Sequence, residues 1–114
     1  GRPMTGSRPK LLKLVALKRQ KAEQSLAIVQ TELRDLGKQL DELQVEFASA
    51  DRAGGDVHAM MLSSRYGHSR RVLHDMDRKR SEIADAQQRF NAAREELKRI
   101  LNSEDQLIQM GAGS

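Results

Sequence analysis

Leucines recur at 33, 36, 40 and 43 in "LRDLGKQLDEL", a 3–4–3 step that places them on one narrow stripe of a helix. Extended in both directions, the step gives Leu12, Val15, Arg19, Ala22, Leu26, Val29, Leu33, Leu36, Leu40, Leu43, Phe47 and Ala50. Eleven of these twelve are apolar, Arg19 being the exception. A heptad stripe sustained this long predicts a coiled-coil helix. Pro9 suits its first turn, where a missing N–H costs nothing. Gly37, beside the stripe, costs about 1 kcal/mol against alanine and does not break a helix held by packing.

The two glycines of "AGGD", residues 53–56, end this helix and let the chain reverse, and Asp56 can cap a second one. In phase with Ile83, Phe90 and Leu97, the second stripe reads Leu62, Arg65, Ser69, Val72, Met76, Lys79, Ile83, Ala86, Phe90, Ala93, Leu97, Ile100, Glu104 and Leu107. Ten of these fourteen are apolar. Its start is ambiguous. "LSSRYGHS" reads as a loose turn, a kink or a frayed helix end. Ser103, with Gln106 three residues on, has the spacing of a capping box and marks a possible break near residue 102.

Two stripes joined by a short glycine loop should cover each other, since neither helix can hide its own. The predicted fold is therefore all-α: two long helices forming an antiparallel coiled-coil hairpin. Residues 1–8 read as a disordered tail whose opening "GRP", before Met4, looks foreign to a native start. Helix 1 is expected at about 9–52, the turn at 53–56, helix 2 at about 57–110 and a flexible tail at 111–114. A turn centred on Gly54 and Gly55 would set Leu12 near Leu97 and Arg19 near Phe90, a cation–π contact.

Composition supports the helical reading and removes others. There is no Trp, no Cys and little aromatic content, 3%, too little to fill a thick core. Disulfides and thiolate metal sites are excluded. No apolar run is long enough to span a membrane, and the leucine-rich start, broken by Lys13 and Lys18, does not read as a signal peptide. A cytoplasmic location is the expectation, peripheral at most to a membrane complex. The net charge of +4 is unevenly spread: residues 1–21 carry seven Lys or Arg and no acid, residues 22–51 two bases and seven acids. Residues 52–80 then carry seven bases and three acids, and residues 81–114 four and six.

Chemistry is sparse. His58, His68 and His74 lack the i, i+3 or i, i+4 spacing of a helical metal pair. Asp75 and Asp77 beside His74 point in different directions, and "AGGD" lacks a phosphate-binding lysine. A two-helix rod offers little concave volume. No enzyme and no cofactor are expected. Two surfaces stand out instead. At the open end, Leu11, Leu14 and Leu17 lie outside the stripe among Lys10, Lys13, Lys18, Arg19 and Lys21, with Leu101, Ile108 and Met110 in surplus on the second helix. They form either a wider apolar plug or a docking surface for an acidic partner. At the tip, "SSRYGHSRR" brings Tyr66, Arg70 and Arg71 together as a second contact, either for protein or for single-stranded nucleic acid.

The stretch "KLLKLVALKRQKAEQSLAIVQTEL", with Leu11, Leu14, Leu17 and Lys18, resembles the opening of FliJ/YscO-type proteins of flagellar and type III secretion export. The resemblance implies a bacterial, cytoplasmic, stalk-like accessory protein. Its terminal end would dock in a hexameric export ATPase through Leu11, Leu14, Leu17 and Lys18. Its other portion would meet an export-gate component through Tyr66, Arg70 and Arg71. A monomer or weak homodimer is expected. Three alternatives stay open: a general coiled-coil adaptor, a self-assembling coiled coil, and a basic hairpin that binds nucleic acid.

Overall fold

The computed structural model describes residues 2–52 and 59–112, with side chains over 8–50 and 65–111. Two helices account for all of the described chain, α1 (Arg2–Arg52) and α2 (Ala59–Ala112). They pack against each other as an all-α antiparallel helical hairpin. The expected turn at 53–56, its Asp56 cap and residues 57–58 lie outside the described residues.

Each predicted stripe is the packed face of its helix. All twelve α1 positions from Leu12 to Ala50 are buried or half-buried, and so are all thirteen α2 positions from Arg65 to Leu107. The polar members Arg19, Arg65, Ser69, Lys79 and Glu104 share this shielding with the apolar ones. Helical geometry, not side-chain polarity, therefore decides what faces inward.

The chain divides into two compact units. The first comprises residues 1–30 and 88–114, the second residues 31–87. The second unit holds the tighter core: Leu36, Val72 and Met76 are buried, and Ala86 is fully enclosed at 0% exposure. Its α2 segment is laced by ion pairs one turn apart. Asp75 accepts from Arg78, Asp77 accepts from Arg80 at 3.4 Å, and Lys79 donates to Glu82 at 3.1 Å. Each such pair adds about 0.2–0.5 kcal/mol of helix stability. In the first unit the packed face is half-buried throughout its described residues.

Several boundaries differ from expectation. α1 begins at Arg2, not near residue 9, so Pro9 lies inside it. Proline disfavours helical geometry in the residue before it, but that residue, Arg8, is tied to α2: its Nη2 donates to the Met110 carbonyl at 3.3 Å. The same bond explains why α2 runs on to Ala112 where a flexible tail from 111 was expected. It supplies a donor to a carbonyl at the helix end, where intrahelical donors run out. "LSSRYGHS" is helical because tertiary contact overrides weak propensity: Gly67, His68 and Ser69 are half-buried, and His68 Nε2 lies 3.0 Å from Glu46 Oε1. No break occurs at residue 102. Ser103 Oγ donates back to the Arg99 carbonyl at 3.1 Å, the mid-helix alternative to capping.

The register also differs. Arg19 does not meet Phe90; its Nη1 donates to Glu104 Oε1 at 3.0 Å. Phe90 instead takes Arg94 of its own helix, whose guanidinium carbon is 5.8 Å from the ring centre. Arg8 reaches Gly111, with a side-chain atom 3.5 Å from where a Cβ would stand, although a turn centred on Gly54 and Gly55 would set it beside Leu101. The adopted register places two of the charged stripe positions, Arg19 and Glu104, where they neutralise each other.

Candidate partner-binding surface

Three of the predicted open-end residues are apolar yet exposed. Leu11, Leu14 and Leu17 in the first unit are 45%, 50% and 62% accessible. They are therefore not a plug that seals this unit. Spacing by three carries them progressively off the packed face: Leu11 flanks it, Leu14 lies further round and Leu17 is on the outside. Leu101, Ile108 and Met110 are exposed as well. By helical position Met110 shares the edge of Leu11, whereas Leu101 and Ile108 lie on the opposite edge, so the apolar surplus is divided between the two.

Lys18 is exposed and borders two shallow grooves on the edge of Leu11 and Leu14. One, of about 330 Å³, has Ala22, Ala93 and Ile100 as its apolar lining and Lys18, Lys21, Ser25 and Glu96 at its rim. The other, of about 300 Å³, lies between Val15 and Ile100, with Lys18, Glu96, Arg99 and Ser103 around them. Small side chains at facing stripe positions, Ala22 and Ala93, leave the first groove open. Glu96 is already satisfied by Arg99, 2.6 Å away on the same helix.

The predicted tip residues belong to the second unit. Tyr66 is 70% exposed, and Arg70 and Arg71 are exposed too. Tyr66 and Arg70, four residues apart, share one helix face, and Arg71 lies a step round from it. The second unit also has a groove of about 470 Å³ between Leu43 and Lys79, rimmed by carboxylates that include Glu42, Glu46, Asp75 and Glu82. Its bases Arg78 and Lys79 are consumed by the pairs with Asp75 and Glu82.

Sequence reasoning missed three features. It did not single out Ile28 and Val45, which are 66% and 64% exposed; their position off the stripe was the available signal. The Ala22–Ala93 groove was foreshadowed only by small residues in both stripes. The Arg19–Glu104 pair needed the register, which the stripes alone leave open. Among the described residues no cluster of three or more His, Cys, Asp or Glu is arranged to hold a metal ion, and no helix is long and apolar enough to cross a membrane.

Comparisons with known proteins add no assignment: no family model matches the chain, and neither a curated protein nor a solved structure does.

Proposed function

We propose that the chain is a non-enzymatic coiled-coil accessory protein of a bacterial type III secretion or flagellar export apparatus, acting in the cytoplasm. Its chain-terminal unit docks on a hexameric export ATPase as a stalk-like component, and Tyr66, Arg70 and Arg71 make a second contact with an export-gate component. The reading rests on the resemblance of residues 10–33 to FliJ/YscO-type proteins. The observation that carries it furthest is the exposure of Leu11, Leu14 and Leu17 beside Lys18. Leucines left in water among lysines favour a partner that covers them.

The tagged chain should capture a ring-forming export ATPase and change its rate of ATP hydrolysis. Leu14→Asp should abolish capture while leaving the circular dichroism at 222 nm unchanged, because Leu14 is half exposed and outside the packed face. Loss of helicity in that variant would make Leu14 a core residue and overturn the docking role. A second reading, a hairpin that binds single-stranded nucleic acid, draws on the exposed Tyr66 between basic neighbours. It requires binding to a single-stranded oligonucleotide that falls steeply with salt and is lost in Tyr66→Ala.

A further inference from the structure

Basic side chains differ in whether an acid stands one turn away. In the second unit, Arg78, Lys79 and Arg80 each find an acid one turn away on their own helix. In the first unit, Lys10, Lys13, Lys18 and Lys21 find none: no carboxylate among the described residues pairs with any of them. The cause lies in the sequence. Residues 1–21 contain no acid, and Glu23, the first one, is engaged by Arg19 at 3.6 Å.

These four ammonium groups share two to three turns with the exposed Leu11, Leu14 and Leu17. Lys18 and Lys21 also rim the groove that Ala22, Ala93 and Ile100 line with apolar surface. The one acid there, Glu96, is neutralised by Arg99. The groove thus combines a shallow apolar recess of about 330 Å³ with unmatched positive charge along its α1 edge. A helix laid beside the pair fills both requirements at once: its apolar residues enter the recess and its flanking acids meet the lysines. A flat lipid surface reaches the lysines and leucines but not a recess between two helices.

Building on the docking role proposed for the open end, we infer that the occupant of the Ala22–Ala93 groove is an amphipathic helix of a partner protein. It inserts a large apolar side chain between Ala22 and Ala93 and sets Asp or Glu against Lys18 and Lys21.

The test uses the full chain and two fluorescein-labelled synthetic helices with leucine on one face, flanked by glutamate in one and by lysine in the other. Fluorescence anisotropy should show binding of the glutamate helix, weakened by salt, and none of its lysine twin. Lys18→Glu with Lys21→Glu should weaken the glutamate helix by about tenfold or more and let the lysine helix bind. Ser25→Trp, which fills the groove mouth, should remove binding of the glutamate helix with helicity retained. Equal binding of the two helices, or indifference to Lys18→Glu/Lys21→Glu, would overturn the inference. So would binding of phosphatidylserine vesicles, or a dimer in sedimentation, that blocks the groove in place of the peptide. If Lys18→Glu/Lys21→Glu leaves ATPase capture intact while Leu14→Asp destroys it, docking through the leucines stands without Lys18 and this occupant falls. If the peptide results hold and no export ATPase is captured, the occupant stands and the secretion assignment falls.

Discussion

A Cβ added at Gly37 or at Gly67 would meet nothing within 4 Å, and neither glycine has the positive φ that would require glycine. Each therefore costs helix stability without a packing return. Gly37→Ala and Gly67→Ala should each raise the unfolding free energy by about 0.5–1 kcal/mol, measured as a higher urea midpoint with unchanged slope. Ser103 gives the opposite kind of test. An N-cap serine replaced by alanine costs about 1 kcal/mol, whereas a hydroxyl bonded back to the preceding turn contributes little. Ser103→Ala should leave the midpoint unchanged or slightly higher; a clear drop would point to a capping role for Ser103. At this scale the sequence was most legible where period governs. Arg19, Lys79 and Glu104 occupy packed positions because of where they fall in the repeat, against their polarity. At Ser103 the sequence left a break open because the capping spacing is local, and the helix around it runs through to Ala112.

Between helices, the Arg19–Glu104 pair is the informative contact. The side chains are 35% and 15% exposed, so the carboxylate is the more poorly hydrated partner. Removing only the cation, Arg19→Leu, should cost about 1–2 kcal/mol because Glu104 loses its donor. Replacing both, Arg19→Leu with Glu104→Leu, should recover that loss or exceed the parent's stability, since paired leucines carry no desolvation penalty. A double-mutant cycle in urea measures the difference as a coupling energy. The cycle also bears on why helix pairing was legible and register was not. A heptad stripe shifted by seven residues still sets apolar on apolar, so many alignments of α1 and α2 bury comparable surface. Only irregular positions separate them, and the anticipated Arg19–Phe90 contact used one stripe charge. The pairing actually formed uses two, Arg19 and Glu104. Helix limits erred for a related reason: Pro9 and Gly111 are local stop signals, yet Arg8 joins that part of α1 to Met110 and Gly111 across the pair.

Across the whole molecule the two units divide the work of stability and of contact. The buried residues Leu36, Val72, Met76 and Ala86 all belong to the second unit. The unpaired lysines Lys10, Lys13, Lys18 and Lys21 and the exposed leucines from Leu11 to Leu17 belong to the first. The outline of that division was present in the charge zones, since residues 1–21 hold seven bases and no acid. The candidate docking residues were legible as apolar residues outside a stripe. The groove between Ala22 and Ala93 was not, because it depends on which residues of α2 stand opposite α1.

Both chain ends lie in the first unit, and its contacts join residues very distant in sequence, 102 apart for Arg8 with Met110 and 85 for Arg19 with Glu104. The hairpin is therefore loaded like a zipper when its ends are pulled apart. Force falls on one layer at a time and is not shared along the seam. Stretched between beads in an optical trap, the chain should open from its termini at low force. A pause should appear at the Arg19–Glu104 layer, and Glu104→Gln should weaken it; release of the whole seam in one step would contradict this. A hairpin of this kind yields readily to anything that draws its two ends apart.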